Sequence, residues 1–205
     1  MGRRYHRRML EQRIQQHFID AADLQFQAAQ ALAAPIAAAV QAIVACITGG
    51  GKVLACGLGA SAAVAQQFAA LCVAGFERER PELAALALGA DASLLSAEST
   101  FAAQPPAAFA RQVRALGQMG DVLLMLSVAG DEPALLEALE AAHERELMVL
   151  LLTGRSGGTL AQRLRETDVL VAVPHDRPAR VREVHTLVLH CLCDGIDAQL
   201  LGEEE

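Results

Sequence analysis

The chain has 205 residues, a formal net charge of −7, 53% apolar residues and 20% charged residues. This composition is typical of one globular domain with a large core and excludes an intrinsically disordered chain. The acidic net charge excludes a protein that wraps nucleic acid by charge. With no Trp and a single Tyr, the chain also lacks the aromatic side chains on which single-stranded bases usually stack.

The N-terminal segment 1–8 is basic, and we interpret it as a disordered tail or as an upstream start that precedes the real one at Met9. No apolar signal core follows this segment, and no apolar run reaches the ~20 residues of a membrane span. The five cysteines lie in apolar runs without a CxxC pair, which predicts buried free thiols. These features predict a cytoplasmic protein that contacts neither membrane nor nucleic acid.

Residues 9–48 have apolar positions at helical spacing and are predicted to form two helices, the second beginning at Pro35. Strands and helices then alternate through residues 49–205, in a single structural unit spanning 9–201. The predicted strands are 53–56, 83–88, 121–126, 147–152 and 169–173, and the predicted helices are 61–74, 109–116, 133–145, 158–165 and 178–200. Because the strands are continuous apolar runs, we expect an α/β fold, a three-layer αβα doubly wound sandwich with a five-stranded parallel sheet.

The last predicted helix is apolar nearly all round. A helix of this kind is buried on most sides, so we expect a homo-oligomer, either a homotetramer or a dimer. Insertion of the helix into the core of its own chain is the alternative.

Two turns follow the carboxyl ends of strands, where doubly wound sheets bind ligands. In the first turn, Gly57 and Gly59 permit close backbone approach, and Ser61 lies at the start of a helix that attracts anions. The second turn contains Ser127 and Gly130, followed by Asp131 and Glu132. The alternatives are a tight strand-to-helix turn in the first case and, in the second, an acidic helix start that repels phosphate.

Longer motifs carry a resemblance to a known family. They are CGLGASAAVAQQFAA, FERERP, RALGQMGDVLLMLSVAGD, LLLTGRSGGTLA and RVREVHTLVLHCLCDGID. In order and spacing they resemble the sugar isomerase (SIS) family, in its phosphoheptose isomerase branch. Within that branch the motifs are most similar to the DnaA initiator-associating (DiaA) proteins.

The resemblance implies a site in which a His and a Glu follow the first turn, and a Gln and a His lie on the last helix. The matching positions here are Gln67, Leu71, Arg182 and His190. In many members of the branch this site holds zinc and moves a proton between two sugar carbons. The replacements predict no zinc, no other cofactor and no catalytic residue, except His190 as a residual candidate that is otherwise a core histidine.

These departures lead to three hypotheses. The first is a non-enzymatic regulator of replication initiation, a homo-oligomer that binds the initiator DnaA and promotes its assembly at the origin, with Leu200 and Leu201 as partner-binding residues or else as packed residues. The second is a sedoheptulose 7-phosphate isomerase that uses His190, Glu183 and Asp91. The third is a phosphosugar sensor that binds its ligand at Gly57, Gly59, Ser61, Ser127 and Gly130.

Overall fold

Helices alternate with parallel strands along the chain, as its apolar pattern predicts. The computed structural model describes residues 2–89 and 108–202, with side chains from Arg7 onward. In these ranges the helices are α1 (Gly2–Thr48), α2 (Ala60–Ala74), α3 (Ala108–Leu116), α4 (Pro133–Glu144), α5 (Gly158–Gln162) and α6 (Pro178–Leu201). The strands are β1 (Val53–Gly57), β2 (Ala85–Ala87), β3 (Val122–Leu126), β4 (Met148–Thr153) and β5 (Val169–Ala172).

The five strands form one parallel sheet in the order β2-β1-β3-β4-β5. Successive side chains of a strand point to opposite faces, and both faces of this sheet are buried. In β3, for example, Leu124 belongs to the cluster beneath α1, α2 and α6, whereas Leu123 belongs to the cluster beneath α3 and α4. The predicted three-layer αβα sandwich is therefore confirmed.

Helix α1 is continuous through Pro35, so the prediction of two separate helices is wrong. A proline inside a helix removes one backbone hydrogen bond and costs about 3 kcal/mol. Burial of one face offsets that cost, because Leu32, Ala39 and Ile43 are at most 2% exposed and pack in the core shared with α6. The helix also includes residues 2–8, which the sequence predicts as a tail outside the domain.

The N-terminal half of α1 has an exposed apolar face. Its exposed members are Met9, Leu10, Ile14, Phe18, Ile19 and Phe26. Between Arg7 and Thr48 the helix contains an 18-residue window with a mean hydropathy of 2.0, so by length and composition alone it could cross a membrane. Core helices of globular proteins meet the same criterion.

Helix α6 is buried mainly by its own chain. Val184, Val188, Leu192 and Ile196 belong to the core cluster that also contains residues of α1 and α2. These apolar residues of α6 therefore pack in the core of their own chain, which was the alternative to burial against another subunit. The large exposed apolar surface lies on α1 instead.

Candidate functional site

The two turns predicted to bind ligands lie side by side at the switch point of the sheet. Gly57, the last residue of β1, is in register with Leu126, the last residue of β3. From β1 the chain moves to β2 on one side of the sheet, and from β3 it moves to β4 on the other. A crevice forms where the connections diverge in this way, and it is the usual ligand site of such sheets.

The first turn brings backbone close to the crevice and leaves the start of α2 uncapped. A Cβ on Gly57 would lie 2.8 Å from the Ser61 carbonyl oxygen and 3.0 Å from that of Leu126, so the turn excludes any side chain there. Gly59 is the N-cap residue, with φ of 57°, and it has no side chain that could cap the helix. The amides of Ser61 and Ala62 donate 3.1 Å bonds to the carbonyl oxygens of Leu58 and Gly59. With Ser61 buried at its start and no acidic residue in its first turn, α2 presents the positive end of its dipole to the crevice.

The second turn is closed by its own side chains. The Ser127 hydroxyl is buried, donates a 2.6 Å hydrogen bond to Glu132 Oε2 and accepts a 2.7 Å bond from the Gly130 amide. Gly130 has a φ of 83°, and a Cβ there would lie 2.0 Å from the Gly157 carbonyl oxygen. The turn is therefore packed directly against the loop that follows β4.

Asp131 joins this turn to the start of α5. Its Oδ1 accepts two bonds of 2.8 Å, one from the Thr159 amide and one from the Thr159 hydroxyl. These hydrogen bonds hold the pKa of the Asp131 carboxyl below its usual range. The Ser127 hydroxyl therefore donates to Glu132, and the amide and hydroxyl of Thr159 donate to Asp131.

His190 lies on α6 facing α2, where its Nε2 is 3.4 Å from Gln67 Nε2. Its ring stacks on Phe76, with ring centroids 5.4 Å apart. His190 is partly exposed rather than a core histidine. The neighbouring position on α2, one turn after Gln67, is Leu71, which packs against the core cluster and can exchange no proton.

This arrangement does not fit a zinc ion, the metal that the family resemblance implies. Of the four matching positions, His190 is a good ligand, Gln67 is a poor one, Leu71 has no donor atom, and Arg182 is a cation. Among the residues that the structure describes, no group of three or more His, Cys, Asp or Glu side chains could hold a metal ion.

The remaining predicted residues lie away from this cluster or outside the described part. Glu183 is exposed and pairs with Arg180, and Asp91 lies outside the described residues. Leu201 is 41% exposed, whereas Leu200 packs partly against the core.

Sequence reasoning missed two side chains of the site. Thr159 is a hydroxyl residue at a helix start in the LLLTGRSGGTLA motif, and Phe76 begins the FERERP motif; both signals were available in the sequence. It also missed His185, which is fully buried. Burial lowers the pKa of His185 to about 4, although its Nε2 bonds the Thr153 carbonyl oxygen at 3.3 Å.

Comparison with known proteins gives consistent matches over nearly the whole chain. The model of the SIS domain family matches residues 16–154. The phosphoheptose isomerase of Methylibium petroleiphilum is 56% identical over 200 residues, which cover 96% of this chain and 98% of that protein. The solved phosphoheptose isomerase of Neisseria gonorrhoeae superposes with a TM-score of 0.86 at 43% identity, covering 92% of this chain and 99% of that one. The Francisella tularensis structure, also a phosphoheptose isomerase, gives a TM-score of 0.86 at 40% identity, covering 91% and 97%.

These comparisons overturn the first hypothesis drawn from the sequence. The relatives at 40–56% identity are named phosphoheptose isomerases rather than DnaA-associating proteins, so the interpretation as a regulator of replication initiation is wrong. The alternative reached from the same motifs, a protein of the phosphosugar isomerase type, is the better supported one. The chain belongs to the SIS domain family, in its phosphoheptose isomerase branch.

Proposed function

We propose that this protein binds a phosphorylated sugar of the sedoheptulose 7-phosphate class in the crevice between β1 and β3. The observation that carries the proposal is the register of Gly57 with Leu126, which sets the uncapped start of α2 beside the Ser127 turn. The names of the relatives supply the class of sugar.

The first turn is suited to an anionic group. The absence of a side chain at Gly57 and the positive φ of Gly59 let a phosphate approach the positive end of α2, and the Ser61 hydroxyl lies at the same helix start. Backbone amides aimed at one point, together with the helix dipole, bind phosphate without requiring a cationic side chain. The hydroxyl groups of the sugar would then extend toward Gln67 and His190.

Binding without zinc is part of this proposal, since the donor set does not fit the metal. Isomerisation of the bound sugar is the second candidate, favoured by the names of the relatives. It requires an acid and a base near two adjacent sugar carbons, and His190 is the titratable side chain that faces Gln67 across α2 and α6. Turnover of sedoheptulose 7-phosphate that is lost in His190→Ala would establish this second candidate.

We also propose that the protein self-associates through the exposed apolar face of α1. Phe18 and Phe26 are 75% and 77% exposed, and side chains of this size are rarely left in water as part of a continuous stripe. A second copy of the same helix is a partner of matching apolar character.

Calorimetric titration with sedoheptulose 7-phosphate, unphosphorylated sedoheptulose and inorganic phosphate tests the proposed binding. We expect binding of the sugar phosphate, no binding of the free sugar, and at least about tenfold weaker binding in Ser61→Ala, which loses a hydrogen bond to a charged group. Thr48→Ala is the matched control, because its hydroxyl bonds Val44 O at the end of α1, before β1 begins. No heat from the sugar phosphate at millimolar concentration would contradict the proposal.

A further inference from the structure

The Ser127 hydroxyl donates its only proton to a group within the chain. A serine hydroxyl has one proton to donate, and here it goes to Glu132 Oε2 at 2.6 Å, while one lone pair accepts from the Gly130 amide. The side chain is 1% exposed, so this geometry lies in a site with little water. A ligand oxygen can receive the Ser127 proton only if the Glu132 carboxylate leaves.

The backbone around this hydrogen bond has little room to move. Gly130 and Gly158 are in contact, since a Cβ on Gly158 would lie 2.4 Å from Ala129 O and 2.6 Å from the Gly130 carbonyl carbon. The Leu160 amide also donates a 2.8 Å hydrogen bond to Gly130 O. The turn is thus fixed by its neighbour, and opening it by a backbone shift would break these contacts.

The Glu132 side chain, in contrast, can move. Glu132 is the N-cap residue of α4 but makes no side-chain capping bond, and it is only partly buried. Rotation of the carboxylate into water would free the Ser127 proton without disturbing α4 or the Gly130 contact. A position in solvent is therefore the alternative to the observed position on Ser127.

We propose that Glu132 is an intramolecular competitor of the ligand phosphate, and that its carboxylate on Ser127 sets the affinity of this site for sugar phosphates. The inference rests on the proposed function. In the position observed, Glu132 both occupies the hydroxyl that a phosphate oxygen would use and repels a dianion. A sugar phosphate therefore binds only as Glu132 swings out, and its affinity is lowered by the competition.

The experiment compares Glu132→Ser and Glu132→Gln with the unaltered protein by calorimetric titration of sedoheptulose 7-phosphate and of inorganic phosphate. We expect Glu132→Ser to bind the sugar phosphate at least about tenfold more tightly, because both the repulsion and the competing bond are removed. Glu132→Gln keeps the shape and an acceptor oxygen but loses the charge, so we expect a smaller gain.

Glu140→Gln is the matched control. It removes the same charge from the same helix, about 12 Å further along its axis, where Glu140 pairs with Arg163 on the surface. We expect its affinity to equal that of the unaltered protein. In the double variant Ser127→Ala/Glu132→Ser, the part of the gain that depends on the freed Ser127 hydroxyl should disappear, leaving only the smaller part that comes from the lost repulsion. Thermal unfolding of each variant verifies that it is folded.

The measured affinities distinguish a failure of this inference from a failure of the proposed function. If the unaltered protein binds the sugar phosphate and folded Glu132 variants bind no more tightly, the competition by Glu132 is refuted while the proposed function stands. If neither the unaltered protein nor any folded variant binds, both are refuted. A gain of equal size in Glu140→Gln would show a general charge effect and would also refute the inference.

Discussion

Arg80 and Asp197 form an ion pair in which Arg80 Nε lies 2.5 Å from Asp197 Oδ1 and each side chain is 2% exposed. The same guanidinium donates to the carbonyl oxygens of Leu71 and Cys72, in the last turn of α2. One arginine therefore satisfies the end of α2 and joins it to α6. Because both charges are out of water, their separate removal is costly.

Arg80→Ala is expected to lower the free energy of unfolding by about 3 kcal/mol or more, since it leaves the Asp197 carboxylate buried without a partner. The measurement is urea unfolding followed by circular dichroism. Arg163→Ala is the control, because its pair with Glu140 is about half exposed on each side. We expect little change there, as is usual for surface pairs. Equal losses in the two variants would contradict the role assigned to Arg80.

Gly130→Ala and Gly50→Ala compare the space around two glycines that have nearly the same φ. The two residues have φ of 83° and 82°, but a Cβ on Gly130 would overlap Gly157 O at 2.0 Å, whereas nothing lies within 4 Å at Gly50. We expect Gly50→Ala to cost about 1 kcal/mol from the backbone alone and Gly130→Ala to cost several kcal/mol. Similar urea midpoints for the two variants would show that the Gly130 turn can move away from Gly157.

Because His185 is buried, we expect the free energy of unfolding to fall in mild acid. Burial lowers its pKa in the folded protein to about 4, below the 6.5 of an exposed histidine, so the unfolded chain binds the proton first as the pH falls. This contribution to stability is complete above pH 6.5 and is lost between pH 6.5 and 4. It amounts to about 2 kcal/mol on going from pH 7 to pH 5.

Urea unfolding of the unaltered protein and of His185→Gln at pH 7, 6 and 5 isolates this term. The glutamine can still donate to Thr153 O but does not titrate in this range, so the variant should lose less stability over the interval. Parallel pH profiles would mean that other groups account for the acid sensitivity.

Self-association through α1 predicts a change in molecular mass. The double variant Phe18→Ser/Phe26→Ser removes two large apolar side chains from the exposed face. We expect its mass by light scattering to fall toward that of a single chain. Met119→Ser is the control, because Met119 is 76% exposed but lies in the turn before β3. A monomeric unaltered protein, or an unchanged mass in the double variant, would exclude this surface.

The elements of the sheet could be predicted from the sequence because their signals are local. An apolar run such as 122–126, bounded by turn residues, indicates a buried parallel strand without knowledge of its partners. The continuity of α1 through Pro35 could not be predicted in this way. It depends on the core that Leu32 and Ile43 share with α6, and α6 lies more than 130 residues later in the chain.

The candidate site could likewise be predicted only in part. The glycines and serines of the two turns could be identified from their place after strands, and position-by-position matching found the replacements at Gln67 and Leu71. The hydrogen bond between Ser127 and Glu132 was not predictable, because an acidic residue at a helix start has a sufficient explanation in the helix dipole alone. Only the rotamers decide between that explanation and an interaction with the neighbouring serine.

The order of strands in the sheet has a consequence for how the chain reaches this structure. Residue 53 in β1 pairs with residue 85 on one side and residue 122 on the other, and all pairings among the five described strands are parallel, so none of them is made through a short hairpin. Long loops must close before the first sheet contact forms, which makes folding of such topologies slow. During synthesis, β1 would leave the ribosome on the order of ten seconds before β3, with one apolar edge uncovered for that time.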